Sequence, residues 1–137
     1  MRILALDHGT VRIGVALSDE LKMIGSPLEF IPAEPWDAFL QRLQQIIAEK
    51  QVERILVGMP RNMDGSYGPA TEKVRAFLEQ LRAVITVPIQ TVDERLSSVH
   101  AQKLLQQAGV KSKQQRGKVD QMAAAVLLQS YLDNLPA

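Results

Sequence analysis

Cysteine is absent from this 137-residue chain. That excludes disulfides, thiolate zinc sites and cysteine nucleophiles together. Aromatic residues are scarce: three Phe, two Tyr and one Trp. So few rings argue against an aromatic platform for stacking bases, and Trp36 and Phe39 read as core. The two histidines, His8 and His100, are too far apart for zinc-ligand spacing. His8 reads as a turn residue and His100 as a solvated helix position. No apolar run approaches the roughly 18 residues of a membrane span. The opening MRILALD is strand-like and lacks the layout of a signal peptide. Neither sign of charge prevails: sixteen basic residues face fifteen acidic ones, for a net charge of +1. The total gives no push toward nucleic acid or membrane. The expectation is a soluble, cytoplasmic protein with no membrane partner.

What is present suits one globular domain over residues 1–137. Hydrophobic residues make up 46% and charged residues 23%, which excludes disorder. A chain of this size buries roughly two-thirds of its unfolded surface, enough for a core without staples. Residues 2–7 and 12–18 are short apolar runs around a tight turn at Gly9 and Thr10, which predicts an antiparallel hairpin. Residues 22–31 form a third strand, and Pro27 argues for an edge position. Trp36, Phe39, Leu40, Leu43, Ile46 and Ile47 recur at intervals suited to a helix, with Pro35 in its first turn.

Residues 53–58 read as a buried strand, followed by a glycine- and proline-rich loop from Gly58 to Pro69. Val74, Phe77, Leu78 and Leu81 mark a second helix, and residues 84–92 a last strand. A third helix is predicted after Ser97 or Ser98, ending at Gly109. A basic stretch from Lys111 to Lys118 leads into a final helix, Val119 to about Leu132, apolar nearly all round and therefore well buried. Helices between successive strands imply right-handed parallel crossovers. The predicted fold is α/β: a mixed five-stranded sheet flanked by helices, with strands 1–3 antiparallel and strands 4 and 5 parallel to strand 1.

In such sheets ligands gather beyond the carboxyl ends of the parallel strands. Asp7 closes strand one there, Asp93 and Glu94 close strand five, and Asp120 joins them if the last helix packs back across the sheet. Converging carboxylates repel one another unless a cation is bound. Hard oxygen donors suit magnesium or manganese. Two such ions about 4 Å apart can clamp the attacking and leaving oxygens of a phosphodiester. Each acid also has a plainer role available: Asp7 in a turn, Glu94 in an ion pair, Asp120 on a helix dipole. In the loop, Asn62 and Ser66 are candidate phosphate contacts and Arg61 a candidate clamp, against plain turn chemistry at Asp64-Gly65.

Charge placement says more than the total. Between Glu94 and Asp120 there is no acid, whereas Arg95, Lys103, Lys111, Lys113, Arg116 and Lys118 contribute six positive charges. A basic strip beside an acidic metal site suits a nucleic-acid hydrolase, because phosphates drive binding.

Four segments together resemble one family. These are Asp7-His8-Gly9-Thr10-Val11-Arg12-Ile13-Gly14-Val15-Ala16, Val57-Gly58-Met59-Pro60 with Asp64-Gly65-Ser66, Asp93-Glu94-Arg95-Leu96-Ser97-Ser98, and Lys118-Val119-Asp120-Gln121-Met122-Ala123-Ala124. They are similar, in order and over essentially the whole chain, to the motifs of the YqgF family, also called RuvX. That family comprises Holliday junction resolvase-like and pre-ribosomal RNA nucleases. The resemblance implies an RNase H-like fold, a nuclease site and 5′-end maturation of precursor 16S ribosomal RNA. It carries over Asp7, Glu94 and Asp120 as catalytic, metal-binding carboxylates, with Asp93 as a substitute for Glu94. Arg12, Arg61, Asn62, Ser66, Arg95, Lys111, Lys113, Arg116 and Lys118 are the candidate substrate-binding residues. The wider resolvases carry a fourth acid at the end of strand four, where this chain has Val57-Gly58.

The leading expectation is therefore a nuclease using two Mg²⁺ or Mn²⁺ ions on precursor ribosomal RNA, free or within a ribosomal particle. Branched DNA is the alternative substrate, and cutting two strands of it calls for a homodimer instead of a monomer. A non-catalytic RNA-binding assembly factor is the alternative from another class. Asp7-His8-Gly9-Thr10 also looks like a phosphate loop of sugar-kinase-like ATPases, but those need two lobes and this chain supplies one.

Overall fold

The computed structural model describes residues 1–9, 11–59, 69–93 and 112–135, with side chains except at 69–70, 93 and 112–122. The elements are β1 (Arg2–His8), β2 (Arg12–Ser18), β3 (Gly25–Pro32), α1 (Trp36–Glu49), β4 (Val52–Met59), α2 (Pro69–Val84), β5 (Ile89–Asp93) and α3 (Ser112–Asp133). The five strands form one sheet in the order β3-β2-β1-β4-β5. β1 pairs antiparallel with β2 and parallel with β4; β2 pairs antiparallel with β3, and β4 parallel with β5. This is the predicted mixed sheet.

Strand alternation sorts the central residues into two cores. Leu4, Leu6, Ile13, Val15, Ile55 and Val57 face α1 and α2, where Phe39, Leu43, Ile46, Val74 and Leu81 meet them. Ile3, Ala5, Ala16 and Leu56 face the other way, against Ala124, Ala125, Leu127 and Leu128 of α3. Small residues on that second face bring α3 close to β1, β2 and β3. β1 is buried on both faces, which explains its unbroken apolar run.

β3 lies at the edge, as Pro27 requires, and its pairing slips between Val15 and Ala16. It begins three residues later than the sequence suggests. Lys22 takes a positive φ of 59°, and the Asp19 carboxylate accepts from the N–H groups of Met23 and Ile24 at 2.8 and 3.0 Å. Those bonds close a turn and hold Asp19 below its ordinary carboxylate range. Pro35 is the N-cap of α1 and not part of its first turn.

Two boundaries move further. The run Val84-Ile85-Thr86-Val87 reads as strand, yet α2 continues to Val84, and the Ile85 N–H donates to the Leu81 carbonyl at 2.7 Å. Ile85 is drawn into the core, and β5 starts only at Ile89, after Pro88. The core contact outweighs local β propensity. α3 starts at Ser112, seven residues before Val119, so Lys113, Arg116 and Lys118 lie on a helix instead of a loop. Lys, Gln and Arg are good helix formers, and Gly117 within the run conceals this. The predicted helix between Ser97 and Gly109 lies outside the described residues.

Candidate functional site

The site is built at the carboxyl edge of β1, on the face that carries α3. Asp7, half-buried, stands directly opposite Gly14 in the β1–β2 ladder. A Cβ placed on Gly14 would lie 3.5 Å from Phe30 Cε1, 3.7 Å from the Asp7 Cβ and 3.8 Å from the Ala124 Cβ. The bare glycine therefore marks where β1, β2, β3 and α3 converge, and it leaves room beside the carboxylate. Asp7 has no hydrogen-bond or ion-pair partner among the described residues.

Gly9 makes the approach possible, since a Cβ there would collide with the Arg12 carbonyl oxygen. Arg12, exposed at the start of β2, lays its guanidinium 4.0 Å from the centre of the Phe30 ring. That cation–π contact holds a positive charge on the face shared with Gly14 and Asp7, and Arg12 makes no ion pair among the described residues.

Asp120 lies in α3, one helical turn before Ala124 and two before Leu127. Its backbone position continues the stripe that packs on the sheet. Since Leu128 abuts Gly25 at the far end of β3, α3 runs with its N-terminal part toward the Asp7 edge. The structure thus brings the helix position of Asp120 to the end of the sheet where Asp7 stands. Lys113, Arg116 and Lys118 precede it on the same helix. Glu94, Arg95, Arg61, Asn62, Ser66 and Lys111 lie outside the described residues, as does Thr10. Asp93, the substitute for Glu94, ends β5 opposite Met59. Among the described residues no three His, Asp or Glu side chains form a metal cluster.

His8 is not the turn residue expected. It is the last residue of β1 and projects to the opposite face from Asp7, where its ring lies 4.8 Å from that of Phe77. Burial lowers its pKa below 6.5 and Lys73 adds to the effect, against the opposing charge of Asp7.

A family model described as Holliday junction resolvase, RuvX, matches residues 1–134. The chain belongs to the RuvX family. Among curated relatives, a protein of Desulforamulus reducens named "Putative pre-16S rRNA nuclease" is 52% identical over 134 residues, covering 98% of each chain. A protein of the same name from Halothermothrix orenii is 44% identical over 97% of this chain and 95% of its own. Among solved structures, the fowlpox virus Holliday junction resolvase superposes with a TM-score of 0.58 at 14% identity, covering 98% of this chain and 100% of that one. RuvC of Thermus thermophilus with a Holliday junction substrate gives 0.52 at 15% identity over 96% of each. These likenesses establish the RNase H-like fold of this RuvX member. No described helix is long and apolar enough to cross a membrane.

Proposed function

We propose that the chain acts as a single RNase H-like nuclease domain, hydrolysing phosphodiester bonds in precursor 16S ribosomal RNA with divalent metal. The observation that carries this reading is the pairing of Asp7 with Gly14 under Ala124. It leaves a carboxylate with no hydrogen-bond or ion-pair partner among the described residues at the carboxyl edge of β1, with the α3 position of Asp120 one turn from Ala124. Relatives named as pre-16S rRNA nucleases at up to 52% identity support the choice of substrate.

The donor chemistry fits a hard cation. Asp7 offers oxygen ligands and forms no ion pair among the described residues. Asp7, Glu94 and Asp120 are the residues that would hold Mg²⁺ or Mn²⁺, in the two-ion arrangement suited to three carboxylates. When bound, the metal supplies neutralisation of the phosphodiester oxygens and a water of lowered pKa. Arg12 binds and orients substrate phosphate from the same face, its guanidinium braced on the Phe30 ring. Arg61, Asn62, Ser66 and Arg95 are proposed as further substrate contacts on their residue chemistry alone. Lys111, Lys113, Arg116 and Lys118 attract the strand toward Asp120. Ala124 and Leu128 seal α3 against the sheet and keep the acid edge in place.

A cleavage assay tests the reading. Labelled precursor 16S RNA, single-stranded DNA and a four-way junction are incubated with magnesium or manganese, using wild-type protein and Asp7→Asn. Metal-dependent cutting of the RNA that vanishes in the variant is the expected result. Preferential cutting of the junction would move the substrate to branched DNA. Salt-sensitive RNA binding with no cutting of any substrate would replace the nuclease by an RNA-binding assembly factor.

A further inference from the structure

The opposite face of the same sheet edge holds a cavity of about 580 Å³, walled by His8, Trp36 and Phe77 and rimmed by Glu34, Lys73 and Gln80. Its size lies within the range of small-molecule sites. The aromatic wall has a definite build. Trp36 meets Phe77 edge-on, with centroids 5.8 Å apart and planes at 82°, and His8 tilts against Phe77 at 53°. Trp36 is backed by the fully buried Phe39 at 5.3 Å in a stacked arrangement, so its position is fixed from behind.

His8, Trp36, Phe39 and Phe77 are thus gathered at one place, and His8 is next in sequence to Asp7. Lys73 is exposed at the rim and makes no ion pair among the described residues. It lies one turn before Phe77 on α2, and Gln80 follows three residues later. The rim therefore presents a cation, an amide and, from Glu34, a carboxylate around an apolar wall.

We propose that this cavity is a nucleotide-binding site, taking one base against the wall of Trp36, His8 and Phe77 and its phosphate at Lys73. A base has a flat face for the rings, and its edge carries donors and acceptors that match Glu34 and Gln80. Its phosphate needs a cation, and Lys73 has no ion-pair partner among the described residues. A purely apolar ligand would leave Glu34 and Lys73 unused, and a free phosphate would leave the rings unused. The nucleotide comes either from an unpaired position in a nucleic-acid strand or from a free mononucleotide. The proposal stands on the His8 face and does not rest on the nuclease reading of the Asp7 face.

Trp36 is the chain's one tryptophan, so its fluorescence reports on the cavity directly. The full chain is titrated, with chelator present to prevent any cleavage, with adenosine 5′-monophosphate, an oligoadenylate strand, adenosine and inorganic phosphate. Saturable quenching by the mononucleotide or the strand is expected, with adenosine weaker and phosphate silent. A response to the strand alone assigns the site to a strand position; a response to the mononucleotide that the strand does not compete away assigns it to free nucleotide. Lys73→Glu, at an exposed helix position, is expected to weaken the phosphate-bearing ligands about tenfold or more while leaving adenosine unchanged. No saturable response to either nucleotide ligand, an equal response to phosphate alone, or undiminished binding in Lys73→Glu would overturn the proposal.

Discussion

Asp7 and His8 are consecutive in β1 and serve opposite faces of the sheet. Asp7 stands beside Gly14 and α3, whereas His8 packs on Phe77 of α2. One peptide unit thus carries both the acid edge of the proposed nuclease site and one wall of the aromatic cavity. The two faces can be perturbed independently, because the strand period directs neighbouring side chains apart.

The first consequence concerns Asp7. Asp7→Asn keeps the shape of the side chain and removes its charge. The carboxylate has no described partner whose loss would unfold the chain, so the melting temperature is expected to stay close to that of the wild type. Activity is expected to fall by more than the roughly 100-fold that loss of an outer-sphere metal partner can cause. Parallel thermal melts and metal-dependent cleavage rates check both halves. An active variant with an unchanged rate would remove Asp7 from the chemistry.

Gly14 separates space from backbone freedom. The three nearest atoms to an added Cβ lie at 3.5–3.8 Å, ordinary contact distances. Gly14→Ala is therefore expected to fold normally, with stability unchanged or raised by up to about 1 kcal/mol through a stiffer unfolded chain. Gly14→Leu would drive a branched side chain into the gap beside Asp7 and against Ala124. It should lose both stability and activity, by an overpacking cost of about 1–3 kcal/mol. Denaturant midpoints and cleavage rates for the pair distinguish a filled site from a strained strand.

Much of the sheet was legible because its signals are local. Apolar runs of strand length, the Gly9 turn and the edge proline Pro27 each follow from backbone chemistry. Boundaries failed where tertiary contacts compete with propensity: Ile85 is claimed by the core and extends α2, and helix-forming Lys and Gln residues carry α3 back past Gly117. Asp7 could be singled out because it ends a buried strand with an acid. The grouping of His8, Trp36 and Phe77 could not, since three elements contribute one ring each and no sequence period links them. Gly14 was legible only as part of a motif; its function as an opening beside Asp7 depends on the β1–β2 register and the approach of α3.

Ser18 carries a stability prediction. Its buried hydroxyl accepts from the Ile3 N–H at 2.8 Å and donates to the Asp19 carbonyl at 3.0 Å. The bond crosses from β1 to β2 just beyond the Leu4–Leu17 pair that begins their ladder, and there the acceptor is a side-chain oxygen. Ser18→Ala would orphan a buried N–H, at a cost of about 1–3 kcal/mol. Chemical denaturation should show a lower midpoint with an unchanged slope. Amide exchange at Ile3 should accelerate beyond the global change.

The last prediction concerns pH. Arg42 of α1 grips Glu29 of β3 through two bonds, Nε to Oε2 at 3.0 Å and Nη2 to Oε1 at 2.6 Å. The hydrogen bonds and charge of Arg42 hold Glu29 below its ordinary value of 4.5. Because the folded state favours the ionised form, the pair's contribution is fully present above about pH 4.5. It fades as the pH falls from there through the lowered folded value. Glu29→Gln removes the titration while keeping the size of the side chain. Wild type should melt above this variant near neutral pH, and the gap should close as the solution is taken toward pH ~3. Using the difference between the two proteins cancels the parallel loss at Asp19, whose capping bonds also weaken on protonation. A gap that stayed constant down to that pH would assign the effect of Glu29 to packing at the β3 edge and not to its charge.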